Sequence, residues 1–515
     1  MYKSRAPLLS ARFPSVFAVR IPTIVAVPDA APTAIDSASA SATIALTDGR
    51  RAAGLLARWP ADTPVAALLS GGAGAQSGWT ILARPAETVA IPATATRDEA
   101  IETLSRALSR TPRACRGAAD GDAPAARRPP FTGGWIVALG YGLGQAFEPA
   151  VRSRHAHDAP LAVLHWCEDA WCLDHATGAL DAIGSPPPLA DAGAIAPPCG
   201  ESRSAGDTRA WRLTVPVPDE PDRAYADAVA QAVEAIHAGD AFQTNIARRF
   251  TARLEGDLRA FAADAVARNA SWFGALVERP DGGAVVSLSP ELFLRVAPDG
   301  TVRTRPIKGT RPATAPLAEL DESEKDAAEL AMIVDLMRND LGRVAETGTV
   351  RVEQARFLET HTTVHHGVAE VSARLADGVS WLDLLRATFP PGSVTGAPKI
   401  RAMQLIDELE PVARGFYCGA VGFFSRSGHA ALNVAIRTAQ IGPVEADGAR
   451  TVAYHAGCGI VADSDPTAET EETIAKAAAL ARLAGPSGGE RDGGDALDSA
   501  SPAAPIPAAA AGPVG

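Results

Sequence analysis

Apolar positions recur along this chain at two periods, and the period changes from segment to segment. Tyr225, Val229, Val233 and Ile236 follow at intervals of four, four and three. That spacing predicts an amphipathic helix with one buried face, closed by Gly239 as a C-terminal cap. Phe242-Gln243-Thr244-Asn245-Ile246-Ala247 then reads as a strand, and Val65–Ser70 reads as a strand running into a glycine-rich loop. Further strands are expected at 284–296, 301–308, 417–425, 432–440 and 451–456. Long helices are expected at 321–345, 396–410 and 466–484. Strands are grouped with sizeable helices and show no regular β–α–β alternation, which favours an α+β fold over a doubly wound sheet.

Between these segments the composition shifts. Residues 1–48 read as a poorly ordered extension, 49–210 as an N-terminal portion, 211–484 as the portion that carries the motifs, and 485–515 as a disordered Ala/Pro/Gly-rich tail. Pro/Gly/Asp-rich stretches at 117–130 and 185–208 read as loops. Sixty acidic residues outnumber 48 basic ones, giving a net charge of -12 with no basic patch. Nucleic acid is thereby excluded as a partner. No apolar run reaches the roughly 18 residues of a membrane span. Cys115, Cys167, Cys172, Cys199, Cys418 and Cys458 fit neither a disulfide framework nor a zinc site, so free thiols in a reducing, cytoplasmic setting are expected.

Three features carry candidate chemistry. Thr304-Arg305-Pro306-Ile307-Lys308-Gly309-Thr310-Arg311-Pro312 sets one lysine in a short apolar step between two arginines. A lysine amine in its neutral form is a nucleophile, although a single lysine is more often a solvated surface residue. Asp326 with Glu329, and Glu469 with Glu472, are carboxylate pairs three residues apart on expected helices. That spacing places both acids of a pair on one helix face. Two such faces brought together would form an oxygen-rich cage suited to Mg²⁺, whereas either pair alone reads as a solvated face. Gly71, Gly72 and Gly74 follow a strand, but no GxGxxG or GKS pattern accompanies them, so a nucleotide loop is not expected there.

Longer stretches carry a resemblance. Lys325–Asp340 resembles KxxAExxMIVDLxRND, Ser289-Pro290-Glu291 resembles SPE, and Pro391–Lys399 resembles GSITGAPK. Ile436-Arg437-Thr438, Ala456–Ser464 and Glu469–Lys476 are similar to IRT, AGxGIVADS and ExxETxxK. Phe131–Gly134 and Gly140–Gly144 look like PFxGGxxGxxGYDLG, with Gly142 where aspartate is usual. In this order, over about residues 50–484, they resemble the chorismate-utilising enzymes.

The resemblance implies a large single catalytic domain of two packed antiparallel sheets surrounded by helices, like anthranilate synthase component I. It implies Mg²⁺ on Glu329 and Glu472, supported by Asp326 and Glu469. Glu291 would be the general acid or base, and Arg437 would grip a substrate carboxylate. Gly457-Cys458-Gly459, read as a loop, and Thr395-Gly396, read as opening a helix, would offer backbone donors. Tyr417 and Lys476 would line the pocket, and His366 would meet the substrate hydroxyl region. Ser70 matches the serine of a tryptophan pocket, although the glycine-rich loop beside it departs from the pattern.

The lysine at 308 is the form of the branch that makes 4-amino-4-deoxychorismate, where anthranilate synthases carry alanine. That implies covalent catalysis by Lys308, with ammonia from a separate glutamine amidotransferase subunit, for 4-aminobenzoate and folate synthesis. The alternatives are conversion of chorismate to anthranilate and pyruvate, and a non-catalytic chorismate-binding role.

Overall fold

The computed structural model describes residues 48–71, 78–111, 128–190, 210–269, 271–361 and 364–484. The described residues belong to one compact unit. The glycine-rich 72–77 segment, Cys115 and Cys199 lie outside the described residues.

Side-chain alternation along the strands sorts the core into layers. Strands Ala66–Leu69, Trp79–Ile91, Phe273–Glu278 and Ala284–Ser289 turn Ala66, Ile81, Ala83, Ala275, Val277 and Val285 into an inner cluster. Strands Gly134–Leu139, Ala162–Asp174 and Ala420–Ser425 add Ile136, Ala138, Val163, Val421 and Phe423 to the same cluster from the other side. The alternate residues face outward onto helices. Ala67, Leu82, Leu276 and Val286 pack with helices Asp48–Ala57 and Leu258–Asn269. Trp135, Val137, Leu139, Leu164 and Phe424 join a cluster fed by helices Arg97–Leu108, Asp222–His237, Glu324–Gly342, Trp381–Thr388 and Lys399–Leu409. Helices outside two antiparallel layers make the α+β architecture that the resemblance implies. The layers are not separate sheets, however. Trp79–Ile91 pairs with Ala66–Leu69 on one side and with Ala162–Asp174 on the other, so the ladder runs continuously between them.

Most expected elements form, with interruptions where the backbone must turn. The Asp222–His237 helix buries Tyr225, Val229 and Ile236, and Gly239 follows it at φ +86°. The segment expected as one helix over 321–345 is two, Leu317–Asp321 and Glu324–Gly342. Ser323 caps the second by accepting from the Asp326 N–H at 3.3 Å. The 284–296 strand is broken after Ser289, because Pro290 cannot donate to a ladder. Ser289 Oγ accepts from the Glu291 N–H at 3.1 Å and donates to the Val434 carbonyl at 2.6 Å, which holds the kink. Cys167, Cys172, Cys418 and Cys458 are buried free thiols.

Candidate active site

The floor of the site is the long pair of strands Gln243–Gly256 and Ala449–Ile460, in register from Ala449↔Glu255 to Ile460↔Thr244. Gly457, Cys458 and Gly459 therefore lie within a strand and not in a loop. Their glycines serve as bare floor. A Cβ on Gly459 would stand 2.3 Å from Gln243 Nε2 and 3.2 Å from Lys308 Nζ, so its absence makes room for both tips. Lys308 arrives on the Ile307–Pro312 strand, whose register against Val364–Arg374 shifts between Ile307 and Thr310. Such an irregularity re-aims a side chain. Gly309 permits it at φ +78°, where a Cβ would meet Leu320 and Asp326 side chains at 2.7 and 2.8 Å. Lys308 Nζ ends 4.0 Å from Glu329 Oε2. Its flanking arginines are occupied elsewhere. Arg305 pairs with Glu359 and, at 3.3 Å, with Glu370, while Arg311 holds Asp326 at 2.9 Å.

Glu291 sits in the kink after Ser289 and is 3% exposed. Burial pushes its carboxyl up to about 7, although a Ser393 hydrogen bond, the Lys308 charge and the Ile307 backbone favour the ionised form. A carboxyl poised near neutrality beside an amine can give and take a proton.

The two carboxylate-bearing helices converge on the same region. Burial raises the Glu329 pKa, and the like charges of Asp326 and Glu469 raise it further against Lys308 and Lys325. For Glu472, burial acts upward but is outweighed by the Lys476, Lys325 and Lys308 charges, so its pKa is lowered. Lys476 Nζ bonds Glu472 Oε1 and the Gly457 carbonyl, both at 2.7 Å. Glu469 is buried and accepts from Ser464 Oγ at 2.8 Å. Donor atoms of Cys458, Glu469 and Glu472 lie within 4.8 Å of one another. Burial, reinforced by the two glutamates, pushes the Cys458 thiol up to about 12. Cys458 packs in the helix-side core with Tyr225 and Tyr417, away from the bare face of its neighbouring glycines.

Arg437 stands in left-handed backbone at φ +50°. No protein carboxylate pairs with it among the described residues, and its burial lowers its pKa. A desolvated guanidinium without an acid is a receptor for an anionic group. His366 lies beside it, 2% exposed, with Nδ1 2.8 Å from Thr310 Oγ1. Burial, with the Arg437 and His361 charges, pushes the imidazole down to about 3. It is therefore a neutral hydrogen-bonding group near neutral pH. His361 lies between Trp272 and His366, tilted to the first and edge-on to the second, at centroid distances of 4.2 and 5.1 Å.

Thr395 and Gly396 do not open the following helix, which begins at Lys399 after Pro398. The Thr395 N–H bonds the Gly392 carbonyl at 3.3 Å, and its hydroxyl turns back to Pro391 and Gly392. Gly396 pairs with Thr244 at φ +143°, where a Cβ would lie 2.1 Å from the Gln243 carbonyl oxygen. The pair thus anchors a loop. Tyr417 is buried, stacked on His455 at 5.3 Å. Ser70 lies away from this site, lining a cavity of about 370 Å³ with Trp79, Trp272, Arg295 and Asn433. Its Oγ donates to the Trp272 carbonyl at 3.2 Å.

Sequence reasoning passed over Gln243 and Ser393. Alternation from Asn245, opposite Gly459, would have put Gln243 on the same face. Nothing in the sequence marks Ser393 as a partner of Glu291, because their meeting is purely tertiary.

Comparison with known proteins agrees with this geometry. A model described as chorismate binding enzyme matches residues 66–482. Aminodeoxychorismate synthase component 1 of Klebsiella aerogenes is 39% identical over 361 residues, covering 67% of this chain and 76% of that protein. Anthranilate synthase component 1 of Streptomyces coelicolor is 37% identical over 391 residues, covering 70% and 74%. The crystal structure of anthranilate synthase component I from Streptococcus pneumoniae superposes with a TM-score of 0.62 at 27% identity, covering 80% of this chain and 93% of that one. A two-layer antiparallel core, a lysine set against converging glutamates and a family match spanning both make this chain a member of the chorismate-binding enzyme family.

Proposed function

We propose that this protein aminates chorismate to 4-amino-4-deoxychorismate, with ammonia delivered by a glutamine amidotransferase subunit. The observation that carries the reading is Lys308 Nζ, seated over Gly459 and 4.0 Å from Glu329. Alanine at this position, as in anthranilate synthases, would leave that seat empty. Relatives bearing the aminodeoxychorismate synthase name and the anthranilate synthase name match at similar identity, so Lys308 carries the distinction. The designation component 1 supports a partner subunit. A cytoplasmic setting fits the free thiols, and no described helix is long and apolar enough to cross a membrane.

The donor set fits Mg²⁺. Glu329, Glu469 and Glu472 offer hard oxygens, and Glu329, raised by burial and then by the like charges of Asp326 and Glu469, is a carboxylate that a divalent cation would stabilise in its ionised form. Cys458, protonated up to about 12, adds no soft thiolate. Bound there, Mg²⁺ supplies Lewis-acid polarisation of a substrate carboxylate. Asp326, held by Arg311, acts as a support. Arg437 binds the second carboxylate, and His366 offers a neutral hydrogen bond to the hydroxyl region. Lys308 then adds to ring C2 while the C4–oxygen bond breaks, and Glu291 gives its proton so that water leaves. Ammonia attacks C4 and expels the Lys308 amine from C2, and the proton shed by the incoming nitrogen returns to Glu291. The cavity beside Ser70 is proposed to take tryptophan, in a structural or regulatory role.

The deciding experiment is chorismate turnover by the purified chain with Mg²⁺ and ammonium, resolved by chromatography. The expected product is 4-amino-4-deoxychorismate, with no use of glutamine until an amidotransferase is added. Anthranilate with equimolar pyruvate would overturn the assignment. Glu329→Gln and Glu472→Gln should each lower turnover by at least about a hundredfold while the thermal melt stays sharp. Full activity of both variants after exhaustive EDTA treatment would remove the metal from the scheme.

A further inference from the structure

One buried ion pair lies outside the chemistry just described. Arg414 and Glu410 are 2% and 4% exposed. Glu410 is the residue that ends the Lys399–Leu409 helix, and Arg414 begins the turn leading to Tyr417. The guanidinium is bidentate to Glu410, with Nε 2.9 Å from Oε2 and Nη2 2.5 Å from Oε1. Its remaining donors go to backbone. Nη1 bonds the Val394 carbonyl at 3.0 Å, and Nη2 bonds the Asn245 carbonyl at 2.7 Å. Glu410 Oε1 in turn accepts from the Ala247 N–H at 2.8 Å. The rings of Tyr141 and Tyr417 lie 4.7 and 5.7 Å from the guanidinium carbon, which completes the enclosure.

A pair this deeply buried is weak evidence for stability, since removing two charges from water offsets their attraction. What it does accomplish is geometric. It ties the floor strand, at Asn245 and Ala247, to the loop at Val394. Val394 follows Ser393, whose side chain hydrogen-bonds Glu291. Asn245 faces Gly459, over which Lys308 ends. Arg414 thus fixes the distance between the loop that holds the proton donor and the strand that seats the amine. The planar fork of arginine reaches four acceptors in one plane, which an ammonium cannot.

We infer that Arg414 and Glu410 are a positioning pair, acting on Glu291 through Val394 and Ser393. The inference rests on the proposed chorismate chemistry, so the test reads chorismate consumption whatever the product. Arg414→Lys keeps the charge but gives up the fork. It should lower kcat by about 10- to 100-fold, as for supporting residues of other sites, and leave KM for chorismate within about threefold. Ser393→Ala should also lower kcat. The two together should be no worse than about twofold below the poorer single variant, because both break the same linkage. Multiplying losses would mean that Arg414 acts independently of Ser393, and the inference would fall. So would an unchanged kcat in Arg414→Lys. If that variant does not fold, Glu410→Asp, which keeps the pair neutral but one methylene short, goes through the same cycle. Failure of both to fold would make the pair purely structural. A wild-type chain that consumes no chorismate would instead sink the proposed function.

Discussion

Glu291→Gln is expected to cut turnover sharply and, at alkaline pH, to make the protein more stable. The carboxyl is pushed from its ordinary 4.5 to about 7 by burial. Below pH 4.5 it is protonated in both the folded and the unfolded chain, and stability is unaffected. Between 4.5 and about 7 the unfolded chain releases its proton while the folded chain keeps it, so stability falls as pH rises. Above about 7 the full penalty remains, of the order of 3 kcal/mol. Glutamine occupies the same space without ever ionising. Urea unfolding should therefore show matching stabilities near pH 4.5 and a gain of up to about 3 kcal/mol for the variant at pH 9. Loss of the proton donor should lower kcat by roughly 10²–10⁴-fold. Identical pH dependence of stability in the two proteins would mean that Glu291 ionises freely, and its role as proton donor would be lost with it. The combination is the signature of a residue kept for chemistry at the expense of stability.

Local pattern carried a good part of this fold. The Tyr225–Ile236 periodicity became a helix buried on that face, because a helix needs only its own residues to set the period. The boundaries that failed are those set by distant partners. Pro290 announces a break, but only the Ser289 bond to Val434 shows that the break turns Glu291 inward. Gly457–Gly459 suggested a loop because glycines usually mark one. Pairing with Asn245 and Ala247 overrides that preference, and the glycines become the floor under Lys308. The same holds for charge. Two arginines flank Lys308 in sequence, yet alternation along a strand sends neighbours apart. Arg305 and Arg311 reach Glu359, Glu370 and Asp326, and Lys308 meets Glu329 instead. The carboxylates of the proposed cage were legible as pairs from their three-residue spacing, and the structure sets donor atoms of Glu469 and Glu472 within 4.8 Å of each other. Lys476 as the cation bridging Glu472 to Gly457 was legible only as a pocket residue.

Replacement of Lys308 by alanine should have the largest effect on product identity. With the arginines committed elsewhere, its charged surroundings are the carboxyl groups of Glu329, Glu291 and Glu472. A divalent cation held by Glu329 would neutralise the carboxylate that now faces the amine at 4.0 Å. Lys308→Ala should then lose most formation of 4-amino-4-deoxychorismate while chorismate still binds, because Arg437 and the carboxylate cage are untouched. A residual rate is expected from direct attack of ammonia once Glu291 protonates the leaving hydroxyl. Some anthranilate should appear, since the altered segment matches the alanine form of the motif. Wild-type protein held with chorismate and no ammonia should yield, by mass spectrometry, a Lys308 peptide heavier by chorismate less one water. Gly459→Ala offers an independent arm. Its Cβ would intrude on Gln243 Nε2 at 2.3 Å and on Lys308 Nζ at 3.2 Å, displacing the amine with the lysine still present. It should reproduce the loss of rate and of the adduct. If Lys308→Ala keeps the full rate with the same product, the lysine only shapes the field of the site, and ammonia must attack C4 without a covalent partner.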